Sequence, residues 1–161
     1  MKILKGTEEK IALNFLNQAA EVATQATCHQ IRYGAVIVKD GQIIGRGFNS
    51  PPGNLENQRR CQFDKTAYHL KVTDKTCCIH AEQRTVMDAL KNFPEKINGS
   101  QIYTARVDKE GKQITCGKPY CTICSKMVLD AGVSDFIMWQ EAGICLYSTE
   151  KYNDLSFNYQ G

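Results

Sequence analysis

The chain has 161 residues, of which 42% are hydrophobic and 23% charged, and its formal net charge is +3. These proportions are those of an ordinary globular protein, so they exclude a disordered chain. The charge excess is too small to indicate nucleic acid binding, and the basic residues are scattered apart from Arg59 and Arg60. No stretch approaches the ~20 apolar residues of a transmembrane helix. We therefore expect one cytoplasmic domain over residues 1–161 with no membrane partner.

The first half of the chain predicts a helix followed by a β-hairpin. Apolar residues recur at helical spacing over residues 7–27, which predicts a helix with one buried side. Residues 33–49 contain two β-rich runs that are separated by Asp40 and Gly41, a typical hairpin turn. Residues 50–60 contain two prolines and predict an irregular loop. A loop beside the end of a strand is a usual place for a surface that faces a substrate.

The second half predicts alternating elements, with helices at residues 80–91 and 119–131 and strands at residues 101–107, 135–139 and 143–147. Pro119 is expected to open the second of these helices, and Gly132 to end it. A polar loop is expected over residues 108–118. Only a short turn separates the last two strands, so they should pair antiparallel.

Two short motifs, CIHAE and PYCTIC, each fall at the start of a predicted helix. Cys121 and Cys124 are three residues apart, so they share a face of the first turn and can hold one ion. The start of a helix also favours thiolates. With His80 as the third ligand, the fourth tetrahedral position stays open, as in catalytic zinc sites, where bound water has a pKa of about 7. Glu82 is not needed as a ligand and lies where it can act as a base.

H-x-E followed by P-C-x-x-C is the signature of zinc-dependent nucleobase deaminases. The chain resembles the cytidine and deoxycytidylate deaminase family over nearly its whole length. The similar segments are GAVIV at residues 34–38, GFN at 47–49, HAE at 80–82, and the cysteine pair leading to AGV at 131–133. One departure is Tyr120, which separates Pro119 from Cys121, whereas the family usually has the proline directly before the cysteine.

The resemblance implies a three-layer α/β/α sandwich around a five-stranded mixed sheet. It also implies roles for individual residues. Glu82 would pass protons from water to the ring nitrogen and the leaving ammonia. Asn49 would contact the sugar, and the backbone N–H of Ala81 would meet the base. Tyr120 is a candidate to stack on the base, with a packing role as the alternative.

The predicted activity is zinc-dependent hydrolytic deamination of a free nucleoside or nucleotide, with cytidine, deoxycytidine or their monophosphates as the favoured substrates. The loop at residues 50–53 resembles deoxycytidylate deaminases, whereas the antiparallel last strand pair resembles nucleoside deaminases, so the choice among them stays open. One alternative is a deaminase of RNA, single-stranded DNA or another base, such as guanine or adenosine. The other is a non-catalytic zinc-stabilised interaction domain, in which Cys116 or Cys78 supplies a fourth ligand.

Two further expectations concern the remaining cysteines and the assembly. The other thiols are expected to be small buried apolar groups, with a second metal site at Cys61 and Cys77 or Cys78 as the alternative. The family resemblance implies a homo-oligomer. Residues 147–161 contain several apolar side chains that one small domain would struggle to bury, so this tail or the helix after Pro119 is the expected interface.

Overall fold

Helices and strands alternate in the computed structural model of the chain, which describes residues 1–160. Its elements are β1 (Lys2–Ile3), α1 (Gly6–Ala23), β2 (Arg32–Lys39), β3 (Gln42–Phe48), α2 (Ala81–Asn92), β4 (Gln101–Val107), β5 (Gln113–Ile114), α3 (Thr122–Asp130), β6 (Asp135–Gln140), β7 (Gly143–Ser148) and α4 (Thr149–Phe157). Along residues 1–160, no helix combines the length and the apolar character that crossing a membrane requires.

The strands form one mixed sheet in the order β1-β7-β6-β4-β2-β3. Strands β4 and β6 are parallel, whereas β2–β3, β2–β4 and the predicted last pair β6–β7 are antiparallel. The five long strands form the predicted five-stranded sheet. Two-residue strands extend it, β1 along β7 and β5 along the end of β4. The sequence did not predict them, because two residues carry no periodicity.

Alternate residues of the strands face opposite layers, and this places the core on both sides of the sheet. On β2, Val36 and Val38 pack with α1, whereas Ala35 and Ile37 pack on the side of the other helices. The first side buries Leu16 and Ala19 of α1 completely. The other side is covered by α2, α3 and α4. The predicted three-layer α/β/α sandwich is therefore confirmed.

Two helix boundaries differ from the sequence prediction. Helix α1 ends at Ala23, because the hydroxyl of Thr24 donates to the carbonyl of Glu21 at 2.7 Å and the following N–H groups bond only three residues back. Helix α3 begins at Thr122 and not at Pro119, because Cys121 has extended backbone and its thiol accepts the N–H of Cys124. The second correction matters for the chemistry, since it makes Cys121 the N-cap of α3.

Glycines on β3 set the position of α2. A Cβ at Gly47 would lie 2.5 Å from the carbonyl oxygen of Ala81 and 2.5 Å from the amide nitrogen of Thr85. At Gly45 it would lie 2.6 Å from the carbonyl oxygen of Thr85. The first turns of α2 therefore lie directly on the strand, and this contact fixes the place where the residues of the HAE motif project.

The segment between β3 and α2 is largely irregular, as predicted for its first part. It contains only short 3-10 turns at Pro52–Asn54, Glu56–Gln58 and Lys65–Ala67. Near its end, Ile79 exchanges backbone hydrogen bonds with Ser50. This bridge brings the chain back to the sheet just before His80.

Candidate metal centre and active site

The structure brings His80, Cys121 and Cys124 together at the starts of two helices. His80 is the N-cap of α2, Cys121 is the N-cap of α3, and Cys124 lies in the first turn of α3. Gln83 accepts the backbone N–H of His80 at 2.9 Å and so fixes the entry into α2. Each of these side chains is thus carried by a helix that packs on the sheet.

The distances within this group suit a single metal ion. The Nδ1 atom of His80 lies 3.2 Å from the sulfur of Cys124 and 3.3 Å from that of Cys121. All three donor atoms lie within 4.8 Å of one another. One imidazole and two thiols are a donor set that zinc prefers. In the part of the chain that the structure describes, neither Cys116 nor Cys78 joins this cluster, so it has three protein donors.

Proton sharing within the cluster already favours an anionic ligand. The pKa of Cys121 is lowered to about 4, first by its hydrogen bond with Cys124 and then by the imidazole of His80. The same contact with Cys121 raises the pKa of His80 to about 9. The free N–H groups at the start of α3 act in the same direction, because they favour negative charge. A thiolate is the form that a metal requires.

Glu82 lies beside the cluster without belonging to it. Its carboxylate oxygen is 3.6 Å from the sulfur of Cys124. Burial raises the pKa of this carboxyl group above its usual value, against the opposing effect of His80. A carboxyl group with a raised pKa is a stronger base than an ordinary carboxylate, which suits a group that accepts a proton from water.

A cavity of about 160 Å³ opens in front of the cluster. His80, Glu82 and Cys121 lie in its wall, and so do all three of the predicted substrate-binding residues, Asn49, Ala81 and Tyr120. The predicted site residues, which are far apart in sequence, therefore meet in one pocket. The exception is Cys124, which is buried and does not line the cavity.

Asn49 holds two backbone segments together at the edge of this pocket. Its side-chain oxygen accepts the N–H of Tyr33 and its amide donates to the carbonyl of Ile31, each at 2.8 Å. These bonds fix the amide, and each polar atom keeps capacity for one more hydrogen bond. Ala81 is the first residue of α2, where the amide N–H groups have no partner within the helix.

Tyr120 is half-exposed, with 50% of its surface accessible. Its ring lies 5.8 Å from that of Tyr159, which follows α4. The residue therefore lies at the open side of the pocket, in contact with the end of the chain.

The pocket also contains residues that the sequence analysis did not single out. Thr104 of β4 lies in its wall, and within residues 1–160 its buried hydroxyl has no hydrogen-bond partner. Tyr33 and Tyr152 contribute rings. Tyr152 stacks on Phe136 at 3.9 Å, so this part of the tail is buried within the chain itself. No local motif identifies these residues, because only the sheet order brings them together.

The geometry and the sequence agree with comparisons to known proteins. The family model described as the zinc-binding region of cytidine and deoxycytidylate deaminases matches residues 9–140. A deoxycytidylate deaminase of Saccharomyces cerevisiae is 26% identical over 156 residues, which cover 87% of this chain and 43% of the yeast protein. The chain thus spans less than half the length of that relative.

Solved structures share the fold. The dCMP deaminase of cyanophage S-TIM5, in complex with dCMP and dUMP, matches with a TM-score of 0.56 and 23% identity over 81% of this chain and 82% of the phage protein. Cytidine deaminase of Burkholderia pseudomallei matches with a TM-score of 0.57 and 15% identity over 87% of this chain and 94% of that protein.

Proposed function

Because this chain belongs to the cytidine and deoxycytidylate deaminase family, we propose that it is a zinc-dependent hydrolase that deaminates the cytosine base of a free nucleotide. The observation that carries the proposal is the position of Glu82. Its carboxyl group lies next to a cluster of three metal donors and faces a cavity of about 160 Å³.

The metal would be held by Nδ1 of His80 and by the sulfurs of Cys121 and Cys124. Zinc bound there supplies a Lewis acid that makes water nucleophilic at neutral pH. The chain contributes three donors and no fourth among its described residues, which suits an open, catalytic site and not a closed, structural one.

Glu82 moves the protons of the reaction. Its carboxylate accepts a proton as the oxygen of water bonds to C4 of cytosine, and it gives a proton to the ring nitrogen N3. After a second transfer the C4–N bond breaks, ammonia leaves, and the uracil base remains. Burial around the carboxyl group, which raises its pKa, supports this two-way role.

The remaining pocket residues orient the substrate. The free N–H of Ala81 at the start of α2 is placed to donate to the base. Asn49 is fixed by its two backbone hydrogen bonds and offers its remaining capacity to the sugar. Tyr120 contributes a half-exposed ring at the open side, where it covers the base.

The charge at the pocket favours a nucleotide over a nucleoside. Arg60, Lys65 and Lys118 all lie in its wall. Within residues 1–160, none of these three side chains forms an ion pair. A phosphate group would provide the missing negative charge, because phosphate pairs well with both arginine and lysine. These three cationic side chains are the feature that favours the monophosphates over cytidine and deoxycytidine as substrates.

The test is ammonia release by the purified protein, measured on deoxycytidine, cytidine, their monophosphates, guanine and adenosine. We expect the monophosphates of cytidine and deoxycytidine to give the highest kcat/KM. Equal rates on nucleosides and nucleotides would contradict the assignment of the three cationic side chains. Failure to deaminate any cytosine compound, with zinc bound, would favour the interaction-domain alternative.

We also infer that the chain forms a homo-oligomer through the end of α4. The support is the exposure of Phe157 and Tyr159, at 61% and 48% of their surfaces. Aromatic rings of this size are enriched in protein interfaces. Light scattering at micromolar concentration should give a multiple of 18.1 kDa, and Phe157→Glu should shift the mass towards that of one chain. A parent protein that scatters as one chain would contradict this inference.

A further inference from the structure

The hydroxyl group of Thr104 lies in the pocket wall without a hydrogen-bond partner. Thr104 is 1% exposed, and within residues 1–160 its Oγ1 atom is inaccessible to solvent and bonds to no other atom. A buried hydroxyl group of this kind destabilises a protein, because folding removes its hydrogen bonds to water. Valine has a similar shape, suits a β-strand and would avoid that cost. The hydroxyl group therefore calls for a partner that the free chain does not supply.

The side chain of Thr104 faces the helices that carry the metal donors. Residues of a strand alternate between the two faces of the sheet. Ile102, two residues earlier on β4, packs on the side of α2, α3 and α4, whereas the intervening Tyr103 packs on the side of α1. Thr104 pairs with Ala35 of β2 and with Met138 of β6, so it lies in the middle of the sheet. Its hydroxyl group is thus directed into the layer that contains the pocket.

The pocket has an exposed side and a buried inner end. Its exposed side carries Tyr120 and the three cationic side chains that the proposed function assigns to the substrate phosphate. Its inner end is lined by side chains that are at most 8% exposed, and these are Thr104, Cys116, Met138 and Tyr152. The thiol of Cys116 already donates to the backbone carbonyl of Thr104, at 3.7 Å. A nucleotide whose phosphate stays at the exposed side directs its base towards the inner end.

The polar groups of a cytosine base leave one partner for this hydroxyl group. The proposed function pairs Glu82 with the ring nitrogen N3. The backbone N–H of Ala81 is a donor, so it pairs with the carbonyl oxygen O2 and not with the amino group. The amino group on C4 presents N–H donors and needs an acceptor. The hydroxyl oxygen of Thr104 offers two acceptor lone pairs, and no donor of the chain occupies them.

We propose that Thr104 is a substrate-binding residue whose Oγ1 atom accepts a hydrogen bond from the 4-amino group of the cytosine base. This bond fixes the rotation of the ring in the pocket, so that C4 faces Glu82 and the metal donors. The identity of the partner rests on the proposed function, whereas the lack of a partner within the chain does not.

Two substitutions at Thr104 should have opposite effects on binding and on stability. Both are made in the Glu82→Gln protein, where slow turnover allows titration calorimetry with deoxycytidine monophosphate. Thr104→Val should raise the Kd ~3–10-fold, the range of one hydrogen bond, without lowering the melting temperature, because it removes an unpaired polar group. Thr104→Ser keeps the hydroxyl group, so the Kd should stay within ~2-fold, but the melting temperature should fall because a buried methyl group is lost. A purely structural role would not produce this crossed result.

The chain offers two matched controls for Thr104→Val. Thr85 is also fully buried, but its hydroxyl group lies 2.7 Å and 3.2 Å from the carbonyl oxygens of Ala81 and Ala35. Thr85→Val should therefore lower the melting temperature by at least ~2 °C. Ser100 has a buried hydroxyl group without a partner, like Thr104, but it lies outside the pocket. Ser100→Ala should neither lower the melting temperature nor change the Kd.

An analogue without the amino group tests the partner itself. The 2-pyrimidinone deoxyribonucleotide carries only hydrogen at C4, so Thr104→Val should bind it as tightly as the Glu82→Gln protein does. An equal loss of affinity for the analogue and for deoxycytidine monophosphate would overturn the proposal. So would a Thr104→Val protein that keeps the Kd for deoxycytidine monophosphate while the parent deaminates this compound, and the proposed function would then stand. A parent that neither binds nor deaminates any cytosine compound would refute the proposed function, and the assignment of Thr104 with it.

Discussion

Two clusters that contain cysteines border one pocket, but the chain positions them in different ways. His80, Cys121 and Cys124 lie at the starts of α2 and α3, and both helices pack on the sheet. The loop cluster, formed by Cys61, Cys77 and Cys78, has its sulfurs within 4.8 Å of one another and lies between β3 and α2. The 15 residues between Cys61 and Cys77 contain no buried side chain. One cluster is held by the hydrophobic core, whereas the other has no such support.

This contrast indicates which cluster the fold positions firmly. Donor atoms on packed helices keep their positions because the core fixes the backbone, so the His80 cluster is preorganised. Thiols on a loop without buried side chains are held less firmly, because few buried contacts restrain the backbone there. Removing a metal ion from the His80 cluster should therefore remove the proposed activity and leave the fold.

The largest expected effect separates chemistry from metal binding at the preorganised cluster. Glu82→Gln keeps the shape of the side chain but removes the base, so turnover should fall by at least ~10²-fold. Zinc content should not change, because Glu82 is not among the clustered donors. Kinetics and elemental analysis on one preparation check both outcomes.

The matched control for this variant is Glu95→Gln, which neutralises an exposed carboxylate far from the pocket and should turn over like the parent. If Glu82→Gln retained zinc and the parent rate, Glu82 would not be the proton carrier. If it lost zinc, the carboxylate would be part of the metal site, and the cluster would not be as independent as its geometry indicates.

Much of the preorganised cluster was predictable from local sequence. The C-x-x-C spacing places two donors on one face of a helical turn, and the H-x-E spacing places Glu82 close to the third donor. Hydrophobic periodicity predicted the hairpin, the strands and the helices around them. The prediction that α3 begins at Pro119 was wrong for a local reason. Pro119 suits a first helical position, but the thiol of Cys121 caps the helix two residues later.

The position of Cys28 beside the loop cluster in the pocket wall could not be predicted from sequence in the same way. Cys28 is 33 residues before Cys61 and 50 before Cys78, and no periodic element relates them. Their meeting depends on how the segment after α1 and the loop before α2 cross the same edge of the pocket. For the same reason Thr104 and Tyr152 were missed as pocket residues, since tertiary packing alone places them there.

The support for the first cluster can be broken at the strand beneath it. Gly47→Ala places a methyl group 2.5 Å from the backbone of both Ala81 and Thr85, so α2 must shift. Such overpacking costs typically about 1–3 kcal/mol in the free energy of unfolding, and turnover should fall as His80 and Glu82 move. Denaturant unfolding and kinetics check both effects.

Gly117→Ala is the control for stability, because a Cβ at Gly117 meets no atom within 4 Å. It should unfold like the parent within about 0.5 kcal/mol. A Gly47→Ala protein as stable and as active as the parent would show that the first turn of α2 is less constrained than its contact with β3 indicates.

The loop's contribution to substrate binding is expected to be smaller. Lys65→Ala removes one cation from the pocket wall. KM for the monophosphate of cytidine or deoxycytidine should therefore rise about tenfold, which is near the lower end of the free energy that a hydrogen bond to a charged group contributes. Turnover of the nucleoside should not change, since it has no phosphate. Lys71→Ala alters the same loop outside the pocket and should keep the parent KM for both substrates.

The smallest expected effect tests whether apolar contacts hold the loop between Cys61 and Cys77. Leu70 exposes 90% of its surface, so Leu70→Ala should change the free energy of unfolding by less than about 0.5 kcal/mol. Leu16, the same residue type at 0% exposure in α1, is the matched contrast, and Leu16→Ala should cost about 2–5 kcal/mol. Urea unfolding of both variants with zinc present gives the comparison. A Leu70→Ala protein destabilised by more than about 1 kcal/mol would show that this side chain packs in solution, for example against a second copy. The loop would then owe part of its order to apolar contact, and the contrast between the core-supported His80 cluster and a loop without a core would be weaker.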